Sequence, residues 1–154
     1  MSYLNQKTIK NNISFSGIAL HSGLDVNVCI KPASPNNGIV FKRVDLKSNN
    51  FVYPNFMNVT NTSLNTTIEN EFGVKVSTIE HLMCALFGMS IDNAIIEIDN
   101  EEVPILDGSA KIFIEKIISA GIDISDSPIK IIKVNKEVNF SDGDRYINIK
   151  PSTL

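Results

Sequence analysis

Residues 77–88, STIEHLMCALFG, decide the reading of the chain. Ser77 followed three residues later by Glu80 has the S-x-x-E spacing of a capping box, in which each side chain reaches the other's backbone N–H at a helix start. Ile79, Leu82, Met83, Leu86 and Phe87 then recur at i, i+3, i+4, i+7 and i+8, one stripe of a helix, and Gly88 offers a C-terminal stop. The spacing predicts a helix over about residues 78–87. Turning by about 100° per residue puts His81 roughly 170° from the mean direction of that stripe and Glu80 roughly 90° from it. His81 therefore faces away from the predicted core, on a face it shares with Thr78, Cys84, Ala85 and Gly88. Those residues are small enough for another layer or a ligand to approach closely, so the face is expected to be covered.

Outward from this helix the pattern changes period. Residues 91–99, IDNAIIEID, read as a strand, and after a turn around Pro104 a second helix begins with Ser109 as N-cap and ends at Gly121, with Phe113, Ile114, Ile117 and Ile118 on one side. Asp107, just before Ser109, serves the turn and the helix start. Upstream, residues 7–20 and 38–45 read as short strands, as do residues 24–33, which alternate at Leu24, Val26, Val28 and Ile30. The Asn- and Thr-rich segment 48–73 reads as loops with short strands near 56–59 and 63–68. Beyond Asp123, residues 129–140, a DGD turn and residues 145–151 read as a β-hairpin about Gly143 without a helix of its own. The fold class is α+β: a two-layer sandwich of a mostly antiparallel sheet with two packed helices over residues 1–126, and a hairpin over 127–154 that joins the main sheet, pairs with another chain or, as the favoured reading, begins a second domain.

Composition narrows the function. A chain of 154 residues with 43% hydrophobic and 20% charged side chains can bury a core, and 17 acidic against 14 basic residues argue against a nucleic-acid binder. Neither an apolar leader nor a membrane span is visible, which predicts a soluble cytoplasmic protein. Two cysteines, Cys29 and Cys84, cannot form a disulfide framework, and Cys84 reads as a buried, unreactive thiol. No P-loop or G-x-G-x-x-G speaks for nucleotide binding. On spacing alone Glu80 is a helix cap, and an isolated histidine such as His81 is more often structural than a ligand. One histidine with an adjacent glutamate is half of a metal-hydrolase site.

Three motifs in order, GIALHSG at 17–23, VSTIEHLMCALFGMSIDNAIIEID at 76–99 and EVPILDGSA at 102–110, resemble the N-terminal half of the zinc-dependent UDP-3-O-acyl-N-acetylglucosamine deacetylases of lipid A synthesis. The resemblance runs from about Thr8 to the end of the chain and implies two similar domains with an active site between them. It implies that His81 is a Zn2+ ligand, that Glu80 is the general base, and that His21 and the loop at 62–66, with Ser63, Leu64 and Asn65, lie near a cleft binding the UDP-linked, acylated N-acetylglucosamine. Asp107 stays mainly structural. The other two zinc ligands of that family come from a later H-K-x-x-D segment, and no histidine follows His81 here. The expectation is an incomplete zinc site and a chain that is inactive or nearly so alone. The competing reading is a non-catalytic, truncated α+β module that works through protein contacts. Such a module would bind a partner through the His81 face and the hairpin and stay a monomer, whereas an orphaned half-enzyme would self-associate through that face or the free strand edge of the hairpin.

Overall fold

A computed structural model describes residues 4–152. In chain order it contains β1 (Asn5–Ile9), β2 (Ile13–Ile18), β3 (Asp25–Pro32), β4 (Ile39–Arg43), β5 (Phe51–Val52), a 3-10 turn (Phe56–Asn58), β6 (Val59–Asn61), β7 (Thr67–Glu69) and β8 (Lys75–Val76). There follow α1 (Glu80–Gly88), β9 (Ala94–Ile98), α2 (Lys111–Ala120), β10 (Ile122–Pro128), β11 (Val138–Asp142) and β12 (Arg145–Ile149). The main sheet has the order β2-β3-β9-β4-β5, antiparallel throughout except for the parallel pair β4 and β9.

Period-two alternation gives this sheet one apolar face. Val26, Val28 and Ile30 on β3 are buried, and Val28 and Ile30 pair across to Ile98 and Ile96 on β9. Leu82, Ala85 and Leu86 of α1 and Phe113, Ile117 and Ala120 of α2 belong to the same core, and the rings of Phe15 on β2 and Phe113 meet edge to face at 5.5 Å. Two helices on a largely antiparallel sheet form the α+β two-layer arrangement that the sequence predicts.

Smaller pairings complete the molecule. β6, β7 and β8 form an antiparallel ribbon that leads into α1. β1 pairs antiparallel with β10, which runs across positions 126 and 127, and the Ile129 amide donates to the Leu4 carbonyl at 2.7 Å. β11 and β12 pair about the turn at Gly143, whose φ is +58°. Every residue of that hairpin is exposed. Its register puts Val138 opposite Ile149 and Phe140 opposite Ile147, so four apolar side chains share one uncovered face.

The structure corrects several sequence readings. Leu24 lies before β3 begins and is 50% exposed. Phe87 and Ile118 point outward at 88% and 62% exposure, because the buried side of α1 is centred on Leu82, Ala85 and Leu86 and that of α2 on Phe113 and Ile117. Cys84 is exposed, not buried. Residues 129–137 are not a strand. The strand of this region is β10, residues 122–128, whose partner is the N-terminal β1. α1 also runs through Gly88, and the left-handed residue after it is Ser90, at φ +55°.

Candidate functional site

The capping box between Ser77 and Glu80 does not form, which frees Glu80 for another role. Ser77 is held in a sheet-like bridge instead: its amide donates to the Glu101 carbonyl at 2.7 Å, its carbonyl accepts from the Val103 amide at 3.0 Å, and its hydroxyl donates to the Glu101 carbonyl at 3.3 Å. Thr78 then turns the chain with a left-handed φ of +54°, and α1 starts at Glu80 with no side chain capping it. A tertiary pairing has displaced the local motif. The buried Arg43 supports the same approach, since its guanidinium grips both oxygens of Asp45 and donates to the Lys75 carbonyl at 2.9 Å. The hydrogen bond from Arg43 holds the Asp45 carboxyl below its ordinary range.

Glu80 and His81 occupy the first turn of α1 and are both half-buried. The helix dipole favours a carboxylate at that end. Oε2 of Glu80 accepts from the Thr66 amide at 3.1 Å, while Oε1 has no hydrogen bond among the described residues. Neither ring nitrogen of His81 has one either. The true buried direction of α1, centred on Leu82, Ala85 and Leu86, leaves His81 roughly 95° from the core and Glu80 roughly 165° from it, so the carboxylate, not the imidazole, stands nearly opposite the core.

The loop at 62–66 does reach this place. Asn65 donates from Nδ2 to the Thr78 hydroxyl at 3.4 Å and accepts at Oδ1 from the Thr67 hydroxyl at 3.1 Å, next to the Thr66 amide that holds Glu80. Ser63 and Leu64 are exposed and make no hydrogen bond to Glu80 or His81. Leu64, 91% exposed with φ +67°, projects from the loop tip. His21 is exposed, and it is tied in through its backbone. Asp107 accepts from the amide of Ser109 at 3.1 Å and from its hydroxyl at 3.0 Å, and the Ser109 hydroxyl accepts from the Lys111 amide. Asp107 thus serves the turn as read, but Ser109 is not the N-cap: α2 begins at Lys111 behind Ala110, with no side chain capping it.

Sequence reasoning missed Glu102. This residue is 3% exposed, and its carboxylate accepts from the amides of His21 and Ser22, each at 2.9 Å, and from the Thr78 hydroxyl at 3.1 Å. Burial alone would raise its carboxyl, but the two amides and the hydroxyls of Ser22 and Thr78 outweigh burial and hold it below the ordinary range. As the first residue of the EVPILDGSA motif, it ties that motif to the GIALHSG loop through the amides of His21 and Ser22. Among the described residues no group of three or more His, Cys, Asp or Glu could hold a metal.

Fold and site together define an α+β domain whose helix layer starts with a carboxylate beside an imidazole that has no hydrogen bond among the described residues. The chain belongs to the LpxC family: the family model described as UDP-3-O-acyl N-acetylglycosamine deacetylase matches residues 6–154. It is similar to proteins named UDP-3-O-acyl-N-acetylglucosamine deacetylase from Cellvibrio japonicus, 45% identical over 96% of this chain and 48% of that protein, and from Photobacterium profundum, 41% identical over 96% of this chain and 49% of that protein. A protein of the same name from Actinobacillus succinogenes is 43% identical, again over 96% of this chain and 48% of its own length. The chain spans about half the length of the curated relatives it matches.

Proposed function

We propose that this chain is the first part of a zinc-dependent amidohydrolase that removes acetate from UDP-3-O-(3-hydroxyacyl)-N-acetylglucosamine in lipid A synthesis. Family membership supports the reaction, and one observation carries the site: Glu80, unlatched from Ser77, keeps one carboxylate oxygen free beside the unbonded ring of His81. An amide resists attack by neutral water, so a base must take the water's proton and an acid must deliver one to the departing amine. Glu80 does both through Oε1, while the Thr66 amide on Oε2 fixes the plane of the carboxylate. A bound Zn2+ would polarise the amide carbonyl and acidify the attacking water. His81 would hold it through one ring nitrogen. A tetrahedral catalytic zinc takes three protein ligands, of which His81 would be one. His21, Ser63, Leu64 and Asn65 would line the approach of the substrate.

Cytoplasmic placement follows in this reading from a UDP-linked substrate, and among the described residues no helix is long and apolar enough to cross a membrane. The hairpin would open a second domain after residues 1–126, with the apolar face of Val138, Phe140, Ile147 and Ile149 seeking cover there or against a second copy. The 154-residue chain loaded with stoichiometric Zn2+ is expected to bind the metal weakly, to lose that binding in His81→Ala, and to show no deacetylation. Deacetylation that disappears in Glu80→Ala would overturn the incomplete-site reading, and metal binding indifferent to His81→Ala would overturn the ligand assignment.

A further inference from the structure

Glu102 is a buried carboxylate with no cation within ion-pair distance among the described residues. Such a group is tolerated only when neutral donors replace its water. Its donors come from separate parts of the chain. Oε1 accepts from the His21 amide at 2.9 Å and from the Thr78 hydroxyl at 3.1 Å, and Oε2 accepts from the Ser22 amide at 2.9 Å. One oxygen is thus shared between the loop carrying His21 and the residue that turns the chain into α1. An amide side chain at position 102 would turn an NH2 toward one of these donors, and an aliphatic one would satisfy none.

Thr78 makes that link consequential. A left-handed φ of +54° is an outlier for a β-branched residue and persists only where the surroundings impose it. Both roles of the Thr78 hydroxyl are taken, as donor to Glu102 and as acceptor from Asn65. The backbone on either side of Glu102 grips the same segment, through Ser77 N–H to the Glu101 carbonyl and Val103 N–H to the Ser77 carbonyl.

We infer that Glu102 is a positioning residue, whose carboxylate fastens the His21–Ser22 loop to Thr78 and thereby sets where His21 stands relative to Glu80 and His81. The functional weight of this lock rests on Glu80 and His81 being the reacting pair, but its existence can be tested without activity or metal. Amide hydrogen exchange and the His21 imidazole resonances are followed by NMR in the 15N-labelled chain and in Glu102→Gln, Thr78→Val and Thr78→Ser. In Glu102→Gln the amides of His21 and Ser22 exchange roughly tenfold faster or more, while those of Phe113 and Ile117 keep their rates. Thr78→Val, which keeps the branched shape and deletes the hydroxyl, displaces the His21 ring signals, and Thr78→Ser restores them.

Unchanged exchange at His21 and Ser22 in a folded Glu102→Gln chain overturns the inference. So do His21 ring signals that stay in place in Thr78→Val, or that move as far in Thr78→Ser. If Glu102→Gln does not fold, the two Thr78 variants decide alone. Zn2+ titration of His81→Ala tests the metal reading separately, since loss of that reading would leave the exchange pattern of the lock intact.

Discussion

Thr78 concentrates more constraint than its neighbours on either side. Holding a β-branched residue in left-handed backbone costs on the order of 1–3 kcal/mol, which its two side-chain hydrogen bonds and the flanking bridge must offset. Thr78→Val keeps the strain and strands part of a buried carboxylate, so a loss of about 1–3 kcal/mol in urea unfolding is expected, with Thr78→Ser close to wild type. Glu102 adds a pH dependence. Its folded carboxyl lies below the ordinary 4.5, so the stability it contributes is complete above that value and is lost as pH falls through the lower folded value. Acid unfolding followed by circular dichroism below about pH 5 should therefore be steeper for wild type than for Glu102→Gln, which has no such proton to gain. Glu102 was illegible because one of two adjacent glutamates in DNEEVP reads as a turn residue, and nothing local reports that the His21 loop closes over it. Glu80 was misread for the converse reason: S-x-x-E is a local signal, and the bridge from Ser77 to residues 101–103 is tertiary.

Elements were legible where one periodicity governed them. The alternation at Val26, Val28 and Ile30 and the Phe113 and Ile117 stripe both lie where their spacing put them. α1 was placed correctly, but its buried side is rotated toward Ala85, a residue whose hydrophobicity is too weak to weigh against Phe87 in a sequence count. β10 was missed because GIDISDSP alternates only faintly and is held by backbone pairing to a strand over a hundred residues earlier. Between elements, β2 approaches the turn before α2 closely at Gly17. A Cβ there would lie 3.0 Å from Cδ2 of Leu106 and 3.1 Å from Cβ of Pro104, in the turn that precedes α2. Gly17→Ala should cost about 1–3 kcal/mol by overpacking, read as a lower thermal midpoint with the circular dichroism spectrum retained.

At the scale of the molecule, two-layer packing and free hairpin contribute unequally. The hairpin exposes every residue of both strands, so it lends little to the stability of the rest. A chain ending at Lys130 should keep its thermal midpoint within about 2 °C of the full chain. It should also lose any concentration-dependent association seen in sedimentation velocity, because the face bearing Phe140 and Ile147 goes with the hairpin. A midpoint lowered by much more would mean that the hairpin braces the sandwich. Layer architecture could be read from the sequence because it needs only periodicity; the closing of loops around Glu102 could not, because it depends on which distant segments the finished sheet brings together.

The bond from the Ile129 amide to the Leu4 carbonyl places the entrance and exit of the sandwich side by side. Such a body is topologically a ring with one cut, and the cut need not fall where it does. Sewn together at that seam and reopened in the exposed bend at residues 47–49, the same segments could be read in a different order and still describe the same solid.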